Sequence, residues 1–132
     1  MNDLLTIYLQ YIRPTLEYAS PVWFCGLTKL QGKCLEKLQR KAFRIIFTID
    51  YCKARSYSDI CELHNIPALL HRLESLSLSF GKSLLESKTH RGWLPPLRNN
   101  SLRNANKLTS IRCRTNRYKC SAIPFLTSIL NK

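Results

Sequence analysis

Along residues 3–13 the apolar positions do not alternate with polar ones in any regular way. Leu4, Leu5, Ile7, Tyr8, Leu9, Tyr11 and Ile12 fall on every side of a helix. A helix apolar all round belongs inside something, so this segment is expected to be buried on most sides, or to lack its natural neighbours. Pro14 has no amide N–H and its ring crowds the preceding turn, so the helix should kink or stop there. Pro21 biases Ser20 toward extended backbone, which predicts a helix end near Glu17. Tyr18 and Trp23 then read as core aromatics, because burial is the largest energy term of such rings. Pro14, Tyr18, Pro21 and Trp23 are therefore read as structural.

The clearest helix is predicted over 29–49. At 100° per residue, Leu35, Leu38, Ala42, Ile45, Ile46 and Ile49 fall in an arc of roughly 100°, the expected core face. Lys33, Lys37, Arg40, Lys41 and Arg44 fall in a similar arc nearly opposite. Glu36 is spaced to pair with Lys33 and Arg40 on the flank, and Gly32 weakens the first turn. Phe43 and Phe47 fit neither arc and want a further partner surface. A short helix to about His64 follows, capped by Ser56 or Ser58, with Asp59 and Glu62 near its positive end. Asn65 suits a C-terminal cap and Pro67 the first turn of the next helix. That helix is expected to reach about Leu85, with Ile66, Leu69, Leu70, Leu73, Leu76, Phe80 and Leu84 facing the core. Past Glu86 the periodicity dissolves at Gly92, Pro95 and Pro96. Residues 97–120 show no clear pattern, and the apolar 121–130 is expected to dock back as a short helix after Pro124.

These elements predict an all-α fold, a small irregular helical bundle of about four helices with a basic, loosely ordered C-terminal arm. The expected divisions are a helical body at 1–87, a flexible basic arm at 88–120, and a short apolar segment at 121–132 that docks on the body.

Charge sharpens the picture. The 132 residues carry a net charge of +13. It comes in two blocks: residues 29–55 hold eight basic and two acidic side chains, and the last 45 residues hold ten basic and none acidic. Between them, residues 56–87 hold two basic and four acidic. The middle reads as scaffold and the blocks as contact surfaces. Such a balance favours an anionic partner, nucleic acid before an acidic membrane surface. A five-residue basic stripe suits a phosphate backbone, where each contact releases counterions; a merely solvated face is the plain alternative. Arg112, Arg114, Arg117 and Lys119 add basic positions in the arm.

Recognisable catalytic chemistry is absent from the pattern. Cys61 and His64 have C-x2-H spacing, but no second pair lies at zinc-finger distance. Cys113 and Cys120 stand seven apart in the basic arm. No phosphate-binding glycine loop, dinucleotide fingerprint or paired acidic motif occurs. No metal or other cofactor is expected. The six cysteines, without a basic, apolar leader, are read as free thiols in a reducing, intracellular compartment, nuclear or cytoplasmic. No run approaches the roughly 18 apolar residues of a membrane span.

Four blocks carry a resemblance. Tyr11-Ile12-Arg13-Pro14-x-Leu16-Glu17-Tyr18-Ala19-Ser20-Pro21-Val22-Trp23 resembles a signature just after the palm of non-LTR (LINE-type, jockey-like) retrotransposon reverse transcriptases. Leu35-Glu36-Lys37-Leu38-Gln39-Arg40-Lys41-Ala42 resembles the basic helix that follows it. Leu63-x-x-Ile66-Pro67-x-Leu69 with Arg72, and Arg117-Tyr118-Lys119-x-Ser121-x-Ile123-Pro124, resemble the later segments, in the same order. The resemblance implies the thumb-like, post-palm part of an RNA-directed DNA polymerase. The family's metal-binding aspartates sit in an aromatic-x-Asp-Asp motif upstream; no Asp-Asp pair occurs here, and Ile49-Asp50-Tyr51 is not that motif. The chain is thus expected not to be an enzyme on its own.

Two functions follow as expectations. In the first, Lys33, Lys37, Arg40, Lys41 and Arg44 track one strand of RNA, DNA or an RNA–DNA hybrid, and Arg112, Arg114, Arg117 and Lys119 add a second contact, reading backbone and shape rather than sequence. In the second, the chain is a helical protein–protein interaction module without nucleic-acid binding, or an inert truncated product. The apolar N-terminal helix, beginning at a truncated boundary, predicts exposed apolar surface and self-association. A cationic secreted peptide with disulfides is the third and weakest reading.

Overall fold

A computed structural model of the chain describes residues 2–53, 56–98 and 107–132, with the side chains of Asn2, Ile49 and Tyr51 left undescribed. It is all-α, as expected, with more and shorter helices than four. The only β-type pairing among the described residues is an isolated antiparallel bridge between Leu97 and Leu108. The chain divides into two compact units, Met1–Ser20 with Leu27–Leu73, and Pro21–Gly26 with Glu74–Lys132.

In the first unit the N-terminal segment passes through Pro14 instead of stopping. It runs as α1 (Asn2–Ile7), a π-helical turn (Tyr8–Ile12) and α2 (Arg13–Glu17). Proline offers no N–H to the carbonyl four residues back and its ring would strike it. The ladder widens instead, and the Arg13 N–H reaches the Tyr8 carbonyl five residues back. The chain reverses at Tyr18 (φ −55°, ψ 128°) and at Ala19, which is left-handed at φ 50°.

Two expectations fail at this corner. Ser20 is helical and buried, opening α3 (Ser20–Trp23), because a proline in a helix's first turn has no intrahelical donor to lose. Tyr18 stands on the outside of the reversal, 80% exposed, and so is not a core aromatic; Trp23 is half-buried. The N-terminal helix also buries one residue well, Tyr8, while Leu4, Ile7, Tyr11 and Ile12 stay exposed.

The core of this unit is aromatic. Phe43 of α4 (Lys29–Ile46) is fully buried. Its ring meets Tyr8 edge-on at 5.7 Å and Phe47 at 5.5 Å, with Ile46, Ile60, Cys61 and Ile66 around it. Beyond α4 come α5 (Thr48–Lys53) and α6 (Tyr57–Leu63). Ser56 caps α6 reciprocally: its hydroxyl accepts from the Asp59 amide, and the Asp59 carboxylate accepts from the Ser56 amide. The helix ends with Asn65 left-handed at φ 52°. The Ile66 amide returns to the Cys61 carbonyl (2.9 Å) and the Asn65 amide to that of Glu62 (3.1 Å), the Schellman arrangement. Pro67 lies just ahead of α7 (Leu69–Glu86) rather than within its first turn.

In the second unit the later part of α7 packs on α9 (Ala122–Leu130), which also meets the 3-10 turn Phe24–Gly26 and α8 (Asn116–Lys119). Leu84, Leu94, Leu126 and Ile129 form its core. Phe80, expected inward, is exposed; Ser77 and Gly81 take the inward positions. A Cβ on Gly81 would lie 3.2 Å from Leu130 Cδ1, so a side chain there would require Leu130 to give by a few tenths of an ångström. The described part of the expected loose arm is pinned by backbone bonds. Arg98 N–H donates to the Lys107 carbonyl and Thr109 N–H to the Pro96 carbonyl, both at 2.9 Å. The Asn131 amide grips both backbone groups of Leu108 (2.8 and 3.1 Å). Such pins involve main chain and one amide, which hydrophobic periodicity does not register. Residues 99–106 of the arm lie outside the described residues.

Candidate nucleic-acid interface

The orientation of α4 decides what its basic residues can touch. Its start is fixed by a capping box: the Thr28 hydroxyl accepts from the Gln31 amide (3.3 Å) and the Gln31 side chain accepts from the Thr28 amide (3.0 Å). Its inner face is Gly32, Gln39, Phe43 and Ile46. This corrects the expected core arc, whose centre lay about a quarter turn away. Leu38 (51% exposed) and Ile45 (61%) face outward, and Leu35 and Ala42 are half-buried. Ile49, expected on that arc, has its side chain outside the described residues. Phe43 and Phe47 need no extra partner surface, because they are the centre of the core.

Two polar side chains lock the helix about its axis. Gln39 is fully buried and donates from Nε2 to the Pro67 carbonyl at 3.1 Å. Glu36 accepts from the Leu70 amide at 2.7 Å and from the Tyr57 hydroxyl at 2.8 Å. Its carboxylate is therefore turned toward Leu70 and Tyr57, and it forms no ion pair with Lys33 or Arg40 of the kind the spacing had suggested. Burial and the Glu36 bond hold the Tyr57 phenol protonated well above its ordinary range. Burial likewise pushes Tyr8 up to about 12.

With the inner face pinned, Lys33, Lys37, Arg40, Lys41 and Arg44 are all exposed. Among the described residues no ion pair holds Lys33, Lys37 or Lys41. Arg40 lies over the Tyr57 ring at 4.6 Å, a cation–π contact that orders it. From Lys33 to Arg44 the stripe covers about 16 Å of helix, room for several consecutive phosphates of one strand.

The second set belongs to the other unit. Arg112 and Arg114 are exposed on a non-helical stretch, and Arg117 and Lys119 on α8, which Thr115 caps by accepting from the Tyr118 amide at 3.2 Å. Lys119 also lines a cleft of about 670 Å³ with Cys25, Cys113 and Cys120. Burial raises the Cys25 thiol, making it a poorer nucleophile. All six cysteines are free. No group of three or more His, Cys, Asp or Glu that could hold a metal ion occurs among the described residues. Cys61 is buried in the aromatic core and His64 stacks on Phe47 at 3.6 Å, so this pair packs.

Sequence reasoning missed one cluster. Arg13 Nε and Arg72 Nε both donate to Glu17 Oε1, at 2.8 and 3.3 Å. Its members belong to two of the quoted blocks, but charge periodicity could not bring residues 55 apart together.

No helix among the described residues is long and apolar enough to cross a membrane. No protein-family model, curated protein or solved structure matches the chain.

Proposed function

We propose that this chain is a non-catalytic, thumb-like helical fragment of the kind that follows the palm of a non-LTR retrotransposon reverse transcriptase, and that it binds nucleic acid through backbone phosphates. One observation carries the reading: the α4 basic stripe is fully outward while Glu36, the acid within it, is consumed on the inner side. A stripe in which Lys33, Lys37 and Lys41 are exposed and held by no ion pair among the described residues gains by displacing counterions from a polyanion. The quoted blocks fit the same reading in another way. Glu36 and Gln39 of one block are bonded to the Leu70 amide and to the Pro67 carbonyl of another, so part of the resemblance falls on residues that set the orientation of the stripe.

The contacts are to phosphate and sugar, with no base-edge readout, so discrimination rests on helix shape. Arg112, Arg114, Arg117 and Lys119 serve as a second set of contacts. Equilibrium binding to an RNA–DNA hybrid, single-stranded RNA and duplex DNA tests the reading. Salt-sensitive binding with some preference for the hybrid supports it. Absence of binding at low salt removes it.

A second reading is favoured by the N-terminal helix, where Leu4, Ile7 and Tyr11 form an exposed apolar row with Ile12 beside it. Such a surface promotes self-association.

A further inference from the structure

The Arg13–Glu17–Arg72 cluster has chemistry that the proposed stripe does not use. One carboxylate oxygen accepts from two guanidinium groups, which leaves one positive charge in excess. Each arginine spends its Nε–H on that oxygen, and the four remaining N–H donors of each fork stay on the Nη nitrogens. The Arg13 side chain is only 12% exposed. Its Nη2 is buried with no hydrogen-bond partner among the described residues. A buried cationic donor left unsatisfied is costly, so an acceptor that reached it would gain a charge-assisted bond. Arg13 and Arg72 both line a cleft of about 360 Å³, whose other walls are Leu9, Pro14, Glu17 and Pro67. Neither proline offers an N–H. The anion-attracting groups of the cleft are therefore the two guanidiniums, with Glu17 already shared between them.

We infer that this cleft is a binding site for a phosphoryl group, presented as a phosphomonoester. Paired guanidiniums match tetrahedral oxyanions in planar, bidentate fashion, and a terminal phosphoryl group can reach a partly enclosed donor that a strand's internal diester passes by. The site does not depend on the α4 stripe. Its source is either the 5′ end of a strand or a free phosphate compound.

The test is a titration followed on the arginine Nε–Hε signals. The probe is inorganic phosphate, against chloride at equal ionic strength. A saturable shift of Arg13 and Arg72 in wild type is expected. It should weaken about tenfold in Arg72→Gln, a variant at a half-exposed position. In Glu17→Gln, which removes the competing negative charge, it should strengthen. A purely structural clasp would give no phosphate-dependent shift and no opposite effects of the two variants, and either result overturns the site. Anisotropy with matched 5′-phosphorylated and 5′-hydroxyl RNAs separates the sources. Tighter binding of the phosphorylated strand, lost in Arg72→Gln, identifies a strand end. Equal binding alongside a saturable phosphate shift identifies a free compound. Reversing the stripe charges leaves the phosphate shift in place, so failure of the stripe and failure of the cleft are told apart.

Discussion

Gly32 shows how one atom's worth of space decides a residue's effect. It is buried in α4, yet a Cβ there would meet Leu70 at 3.4 and 3.5 Å, ordinary contact. Gly32→Ala should therefore gain helix propensity without a clash, raising stability by up to about 1 kcal/mol in thermal melts; a lower melting temperature would mean that the contact with Leu70 cannot give. Tyr8 and Tyr57, together with the Cys25 and Cys61 thiols that burial also raises, carry the alkaline pH dependence. Both phenols have raised folded values, while unfolded phenols titrate near 10. Their contribution is whole below about pH 10 and is lost as pH rises from there toward the folded values. Stability should fall above about pH 10, and Tyr57→Phe should shallow that fall in denaturant titrations at stepped pH. An unchanged slope would show that Tyr57 is not held protonated by the fold.

The helix α4 marks where the sequence was readable and where it was not. Its existence, its start and its basic face were legible, because period and charge report them directly. Its inner face was not. Aliphatic residues drew the expected core toward Leu38 and Ile45, whereas the buried line holds Gly32, Gln39 and Phe43, with only Ile46 shared with the expected arc. Gln39 and Glu36 are inward because Pro67, Leu70 and Tyr57 satisfy them, and those partners lie 21 to 34 residues away. Local periodicity cannot supply such pairings. Phe43→Ala should accordingly cost about 3–5 kcal/mol, and Glu36→Ala about 2–4 by stranding two donors. Leu38→Ala and Ile45→Ala should each stay within about 0.5 kcal/mol. Denaturant midpoints check the series; a Leu38 cost equal to that of Phe43 would restore the quarter-turn-shifted face. The Schellman end of α6 was legible at Asn65, since that residue type tolerates left-handed backbone. The grip of Asn131 on Leu108 was not, because an amide that bonds main chain 23 residues away leaves no local signal.

For the whole molecule, charge and exposed apolar surface set two behaviours that can be separated. If the row formed by Leu4, Ile7 and Tyr11 drives self-association, sedimentation velocity should give a mass that rises with concentration, and Ile7→Asp with Tyr11→Asp should abolish the rise; a wild-type monomer throughout would remove that surface from the account. The central claim concerns the other surface, and its most direct test is the salt dependence of binding to a fluorescent single strand. Five phosphate contacts on α4, each contributing about −0.7, give a log–log slope of about −3.5. The triple reversal Lys37→Glu, Lys41→Glu and Arg44→Glu should weaken binding and flatten that slope by about 2 or more, while the far-ultraviolet spectrum stays that of the wild type. An unchanged affinity and slope in the triple variant would contradict the account and leave the stripe as a solvated face.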